Sequence, residues 1–151
     1  MHILFLSHYF VPENNAPAAR VHGLAKEWAR LGLRVTVLTG APNVPAGVVY
    51  EGYRNRLYQE EWIEGIRTAR VWTYLAANRG RVRRGLNFLS YMAAAGTAGS
   101  ALRPRADVVI ATSPQFFAGW AGVPVSRAHG APFVLEIRDI WPDSILSLIH
   151  I

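Results

Sequence analysis

Ile3-Leu4-Phe5-Leu6-Ser7 is followed by the polar loop His8-Tyr9-Phe10-Val11-Pro12-Glu13-Asn14-Asn15-Ala16-Pro17, a helix-spaced segment to Leu31, and then Arg34-Val35-Thr36-Val37-Leu38-Thr39. Ile3 to Leu6 is continuously apolar, as expected of a strand covered on both faces of a parallel sheet. Val21, Leu24, Ala25, Trp28 and Leu31 recur at helical spacing. Asn15 suits the N-cap, Pro17 the first turn and Gly32 the stop. A second apolar run follows at once. The segment therefore predicts a βαβ unit whose first loop opens at the carboxyl end of a strand, where such sheets bind ligands.

The same alternation continues outward from this unit. A long irregular loop is predicted from Gly40 to about Trp62, and a loop of that length inside a compact domain is usually functional or mobile. Ile66 to Tyr74 reads as a third strand, and about Val82 to Leu102 as a long helix stopped by Pro104. Asp107 to Thr112 reads as a fourth strand, Phe116 to His129 as a helix, and Phe133 to Ile137 as a fifth strand. Strands alternating with helices predict an α/β fold: a doubly wound, Rossmann-like parallel sheet with helices on both faces.

The 151 residues are 51% hydrophobic, enough for one domain with a full core. The absence of cysteine excludes disulfides and cysteine–zinc sites and fits a reducing compartment. No secretory signal is read ahead of Ile3. No cofactor and no metal site are predicted.

The net charge of +6 is uneven. Gly65 to Ala106 contains no acid and eight arginines: Arg67, Arg70, Arg79, Arg81, Arg83, Arg84, Arg103 and Arg105. Such a block is either a solvated basic face or an attractor of anions. Leu86 to Leu102 carries no charge but is short and polar-studded for a bilayer span, so a core helix is expected. Its arginine-rich start, Arg79 to Arg84, is expected to touch an anionic membrane surface peripherally while its apolar side faces inward. Nucleic acid is disfavoured because the block lacks interleaved aromatic platforms.

The first loop has neither the dinucleotide glycine fingerprint nor a Walker loop. The stretches "ILFLSHYFVPENNAPAARVHGLAKEWARLG" (3–32), "VTVLTGAPNVPAGVVYEGYR" (35–54), "ADVVIATSPQFFAG" (106–119) and "FVLEIRDIWPDS" (133–144) resemble the N-terminal domain of family 4 glycosyltransferases, the retaining GT-B enzymes. Within the family they look closest to the O-antigen fucosamine-transferase-like subgroup that builds bacterial surface polysaccharides. Asn14-Asn15-Ala16 stands where many members carry paired glycines. The resemblance implies the N-terminal, acceptor-side half of a GT-B fold over residues 1–145. It implies transfer of a sugar from a nucleotide-sugar donor to a glycan or polyprenyl-diphosphate-linked acceptor. The protein is expected in the cytoplasm, with a peripheral place on the inner face of the plasma membrane as the further option. Donor binding, including an E-x7-E glutamate pair, belongs to a C-terminal domain that these residues do not include. The chain alone is therefore expected to be inactive. Residues 146–151 read as a truncated or non-native tail.

Strand carboxyl ends converge on one edge, so loops 8–17, 40–62, 113–116 and 138–144 define the candidate site. Asp139 is the candidate catalytic residue, orienting or deprotonating an acceptor hydroxyl; as a structural residue it would cap a helix or pair with Arg138. Glu13, Asn14 and Asn15 precede a helix N-terminus suited to a diphosphate, with Arg20 one turn on. Asn15 also reads as a plain cap. Asn43, Ser113 and Arg138 complete the substrate-binding set; Ser113 reads equally as a turn residue before Pro114, and Arg20 equally as a surface arginine without a role. His8 reads as either a substrate hydrogen-bond partner or a structural histidine, Trp141 as packing or sugar stacking, and Asp143-Ser144 as a cap. The rival function is a non-catalytic Rossmann module that binds an anionic ligand.

Overall fold

The computed structural model describes residues 1–77, 81–113 and 116–138. Its elements are β1 (His2–Leu6), α1 (Ala16–Arg30), β2 (Arg34–Gly40), β3 (Tyr58–Ile63), β4 (Ile66–Val71), α2 (Arg81–Ala101), β5 (Val108–Thr112), α3 (Phe116–His129) and β6 (Phe133–Glu136). The six strands form one sheet in the order β3-β4-β2-β1-β5-β6. All pairs are parallel except β3–β4. The expected Rossmann-like α/β architecture is present.

Period-two alternation sorts the strand residues between two apolar layers. Phe5, Val35, Val37 and Ile66 face α1, where they meet Val21 and Ala25. Leu4, Leu6, Leu38, Ala69, Val71 and Val109 face α2 and α3, where they meet Tyr91, Ala95, Ala118 and Val125. One helix on one face and two on the other bury both sides of β1 completely. A Cβ on Gly99 would lie 2.7 Å from Val125 Cγ2, so glycine permits α2 and α3 to approach this closely.

The N-cap reading of Asn15 is met, since its Oδ1 accepts from Ala18 N at 2.9 Å. Gly32 ends α1 with φ +82°. Two expectations are corrected. The segment 40–62 is not irregular to its end, because Tyr58–Ile63 forms an antiparallel edge strand. Its hairpin turns on Glu64 (φ 49°) and Gly65 (φ 81°), the paired positive φ of a two-residue turn that matches strand twist. The following strand ends at Val71 rather than Tyr74. An exposed edge rich in charge explains the miss: Gln59, Glu60 and Glu61 lack an apolar alternation, and charged edges resist unwanted pairing.

The hairpin also changes the meaning of the basic block. Glu60, just upstream of the acid-free run, receives Arg67 Nε at 2.9 Å and Nη2 at 2.6 Å. Glu61 receives Arg70 Nε at 2.5 Å. Two of the eight arginines are thus neutralised by a neighbour that precedes the block. Among the described residues no helix is long and apolar enough to cross a membrane.

Candidate functional site

The strand order reverses between β1 and β5, so the loops after these strands splay apart and leave a crevice at the carboxyl edge. Ser7 to Asn15 forms one wall and Ser113 begins the other. Ala41 to Leu57, after β2, flanks the first wall, and Ile137 and Arg138, after β6, flank the second.

The first wall is pinned by two buried charges. Glu13 is 3% exposed, and its Oε1 accepts from Asn43 N at 2.9 Å and Val44 N at 3.1 Å. Burial raises the Glu13 pKa, against those two hydrogen bonds and the nearby Arg70 charge, which lower it. Arg70, 1% exposed, donates Nη1 to Gly40 O at 3.0 Å and Nη2 to Val11 O at 2.6 Å, and its guanidinium lies 5.0 Å from the Tyr53 ring centroid. One arginine therefore ties the ends of two loops to β3. The sequence holds a signal for it: Ile66, Thr68 and Arg70 share an inward strand face, and an arginine there needs partners.

The loop after β2 is built rather than loose. Tyr50 Oη donates to Val44 O at 2.6 Å, and Asn55 exchanges hydrogen bonds with the Thr73 backbone at 2.7 and 3.1 Å. Gly47 has φ +71°, and a Cβ there would lie 2.2 Å from Ala77 N, so the loop folds onto residues 76–77. Asn43 is buried within it and donates Nδ2 to Ala41 O at 2.7 Å.

The helix N-terminus in the first wall has little left to offer an anion. Pro17 has no N–H, Ala18 N is held by the Asn15 side chain, and Ala19 N bonds Asn15 O at 3.1 Å. At most the Ala16 N–H remains. Asn14 is exposed. Arg20 forms an ion pair with Glu136 across the crevice side of the sheet. Burial raises the Glu136 pKa, but Arg20 and the Thr112 hydroxyl (2.7 Å) outweigh it and leave the pKa below the ordinary carboxylate value. On the second wall, Ser113 Oγ accepts from Arg138 N at 2.6 Å, and Ser113 N donates to Glu136 O at 2.9 Å. Arg138 keeps a buried Nη1 without a hydrogen-bond partner. Asp139, Trp141, Asp143, Ser144 and residues 146–151 lie outside the described residues, as do Pro114 and Arg79.

His8 leaves β1 toward α2. It is buried, with its ring 4.6 Å from Tyr91, 4.9 Å from Tyr9 and 5.5 Å from Phe88. Desolvation pulls its pKa down to about 3, against a hydrogen bond with the Asn87 side chain, so the ring is neutral at pH 7. Its Nδ1 has no partner. Tyr91 Oη donates to Leu38 O at 2.8 Å and locks the same cluster to β2.

Among the described residues no group of three or more His, Cys, Asp or Glu could hold a metal ion. A cavity of about 830 Å³ opens at the opposite, amino edge of the sheet, lined by residues including Lys26, Arg34, Glu64 and Asp107. It is distant from the strand carboxyl ends, and several of its charges are paired, as Lys26 with Glu64 at 2.9 Å. The crevice, not this cavity, is the candidate site.

A sequence model described as a glycosyl transferase 4-like domain matches residues 15–148. The chain belongs to that family. No curated protein matches this glycosyl transferase 4-like chain. Its fold is similar to two crystal structures of the C-terminal domain of the PF1911 hydrogenase of Pyrococcus furiosus. One is 17% identical, with a TM-score of 0.59 over 89% of this chain and 90% of that one. The other is 19% identical, with a TM-score of 0.54 over 89% of each chain. At such identity the likeness speaks for the fold alone. Glycosyltransferase is the activity class that the family match supports.

Proposed function

We propose that this glycosyl transferase 4-like domain is the acceptor-side half of a retaining glycosyltransferase. It would take a sugar from a nucleotide-sugar donor to a glycan or polyprenyl-diphosphate-linked acceptor in cell-surface polysaccharide synthesis, in the manner of the O-antigen fucosamine-transferase-like subgroup. The observation that carries this reading is the family match over residues 15–148 on a sheet whose switch point opens between the β1 and β5 loops. In this reading the donor's own phosphate helps deprotonate the acceptor, and the protein positions groups and stabilises charge. Asp139 orients the acceptor hydroxyl, and Ser113 and Arg138 help to bind the acceptor. Arg138 Nη1, buried and unpartnered, supplies a cation to the second wall. Glu13 and Asn43 act by holding the first wall, while Asn14, Asn15 and Arg20 sit at its rim. Arg20 exchanges Glu136 for a phosphate when one arrives. A second domain with an E-x7-E pair binds the donor.

The test joins this chain to the reading frame downstream of residue 145 and assays a panel of nucleotide sugars against polyprenyl-diphosphate-linked glycans. Transfer by the extended protein, none by the 151-residue chain, and loss of transfer on Asp139→Asn are expected. Absence of a donor-binding domain in the frame, or full activity of Asp139→Asn, would sink the proposal. The rival, an anion-binding module without chemistry, predicts ligand binding and no transfer in either form.

A further inference from the structure

The cavity of about 830 Å³ at the amino edge of the sheet lies away from the crevice and has no part in the transferase reading. Its carboxylates Glu27, Glu64 and Asp107 are each engaged. Glu64 pairs with Lys26 at 2.9 Å, Glu27 pairs with Arg30 at 2.9 Å, and Asp107 accepts from His2 N at 2.6 Å. Arg34 and Arg105 also line the cavity, and both are exposed. Among the described residues neither guanidinium has an ion pair or a hydrogen bond. The ordinary duty of arginines at this edge, offsetting the negative end of a helix, falls to others. Arg30 lies in the last turn of α1, and after α2 Arg103 donates to the carbonyls of Ser100 and Leu102 at 3.4 and 2.8 Å. The charges of Arg34 and Arg105 are therefore surplus in one cavity.

The backbone beneath these arginines is fixed. Arg34 N donates to Met1 O at 3.1 Å, and Arg34 stands opposite His2 in the β1–β2 register. On the other side of β1, Asp107 N donates to His2 O at 2.8 Å. His2 is 5% exposed; its Nδ1 donates to Arg105 O at 3.1 Å, and its Nε2 accepts from Thr36 Oγ1 at 2.8 Å. Desolvation lowers the His2 pKa, opposed by the Arg105 carbonyl and Asp107 and helped by the Arg34 and Arg67 charges, so the ring is neutral at pH 7 and keeps these bonds. The two arginines thus flank the start of β1, two inter-strand spacings apart, on the order of 10 Å. A Cβ added at Gly32 or Gly65, which also line the cavity, would meet nothing within 4 Å, so the space between is open.

We propose that this cavity is a second binding site, for a diphosphate-bearing small molecule, with one phosphoryl group on Arg34 and the other on Arg105. Guanidinium groups hold phosphate oxygens bidentately and keep their charge at any physiological pH. The volume suits a small organic molecule rather than a lone ion. Glu27, Glu64 and Asp107 around the two arginines disfavour an extended polyanion, so the occupant is small. The site does not depend on the transferase reading, because the cavity and the crevice lie at opposite edges of the sheet.

The experiment is titration of the 151-residue chain with inorganic pyrophosphate at constant ionic strength, followed by calorimetry and by backbone amide NMR. One saturable site is expected, with shifts at the Gly32 and Gly65 amides and none at Ser113 in the crevice. Arg34→Gln and Arg105→Gln should each weaken binding about tenfold, the loss of one charge-assisted contact. The double variant should lose about a hundredfold. Arg83→Gln, at the exposed start of α2, should bind like the parent. Circular dichroism should show unchanged melting throughout, because neither Arg34 nor Arg105 loses a side-chain partner. The proposal falls if sulfate binds as tightly as pyrophosphate, if Arg83→Gln costs as much as the cavity variants, or if no saturable binding is seen. Shifts at Ser113 in place of Gly32 and Gly65 would also overturn it and would assign the anion to the crevice.

Discussion

The two flanks of the switch point solve the same problem with different materials. On the β2–β4 flank, loops are held by charges taken out of water: Glu13 and Arg70 are 3% and 1% exposed and bind backbone groups of neighbouring loops. On the β5–β6 flank, the Arg20–Glu136 pair is half in solvent, and Ser113 and Thr112 do the rest through hydroxyls. A buried charge is tolerable only when its hydrogen bonds are complete, and then it fixes geometry strongly. A half-exposed pair is screened and exchangeable. The first flank is therefore a rigid wall, and the second is held by an ion pair that is open to exchange.

The hardest break in this contrast is Arg70→Leu. It strands the carbonyls of Gly40 and Val11 and leaves Glu61 unpaired, so a loss of about 3 kcal/mol in urea unfolding is expected. A loss no larger than that of an exposed pair would erase the distinction between the flanks.

His8 sharpens it through pH. The folded value of about 3 lies below the ordinary 6.5, so above pH 6.5 both states are neutral and stability is at its full value. As pH falls below 6.5 the unfolded chain takes the proton first. Stability then drops at about 1.4 kcal/mol per pH unit, or about 2 kcal/mol by pH 5. His8→Phe should flatten that slope in denaturation curves run from pH 7 to 5. An unchanged slope would mean that the ring is not held neutral.

Glu13→Ala leaves two buried backbone N–H groups without an acceptor and should cost about 2 kcal/mol, while Glu13→Gln keeps the acceptor and should restore most of it. The raised Glu13 pKa works oppositely to that of His8. Its contribution is fully present below the ordinary carboxylate value of 4.5 and is lost as pH rises through the higher folded value. Glu13→Gln should remove that trend, and thermal melts across pH 4 to 8 would show it.

The smallest effect expected is on the second flank. Arg20→Ala should change stability by less than about 1 kcal/mol, because the Arg20 side chain is 50% exposed. A larger loss would show that both flanks are equally braced.

The first strand and helix were readable because their signals are local. Ile3 to Leu6 can only be a covered strand, and Asn15, Pro17 and Gly32 punctuate α1 as capping chemistry requires. β3 was not readable: Tyr58 to Ile63 earns its strand state from pairing with β4, and its Glu-Glu centre argues against a strand on propensity. The candidate residues divide in the same way. Their placement on strand-end loops followed from the βαβ order, but their engagement did not, since Asn43 and Val44 lie 30 and 31 residues from Glu13, and Glu136 lies 116 from Arg20.

By itself, the order of apolar runs and helix caps determined an α/β sheet with loops gathered at the strand carboxyl ends, because periodicity and capping act within a few residues. Only the tertiary structure decided which charges are spent and which remain open. It laid Glu60 and Glu61 against Arg67 and Arg70, closed most of the α1 N-terminus with Asn15, and left Val82, Leu86 and Leu89 facing out. Ion pairing and exposure depend on distances across the sheet, and a linear sequence does not contain those distances until the strands are set side by side.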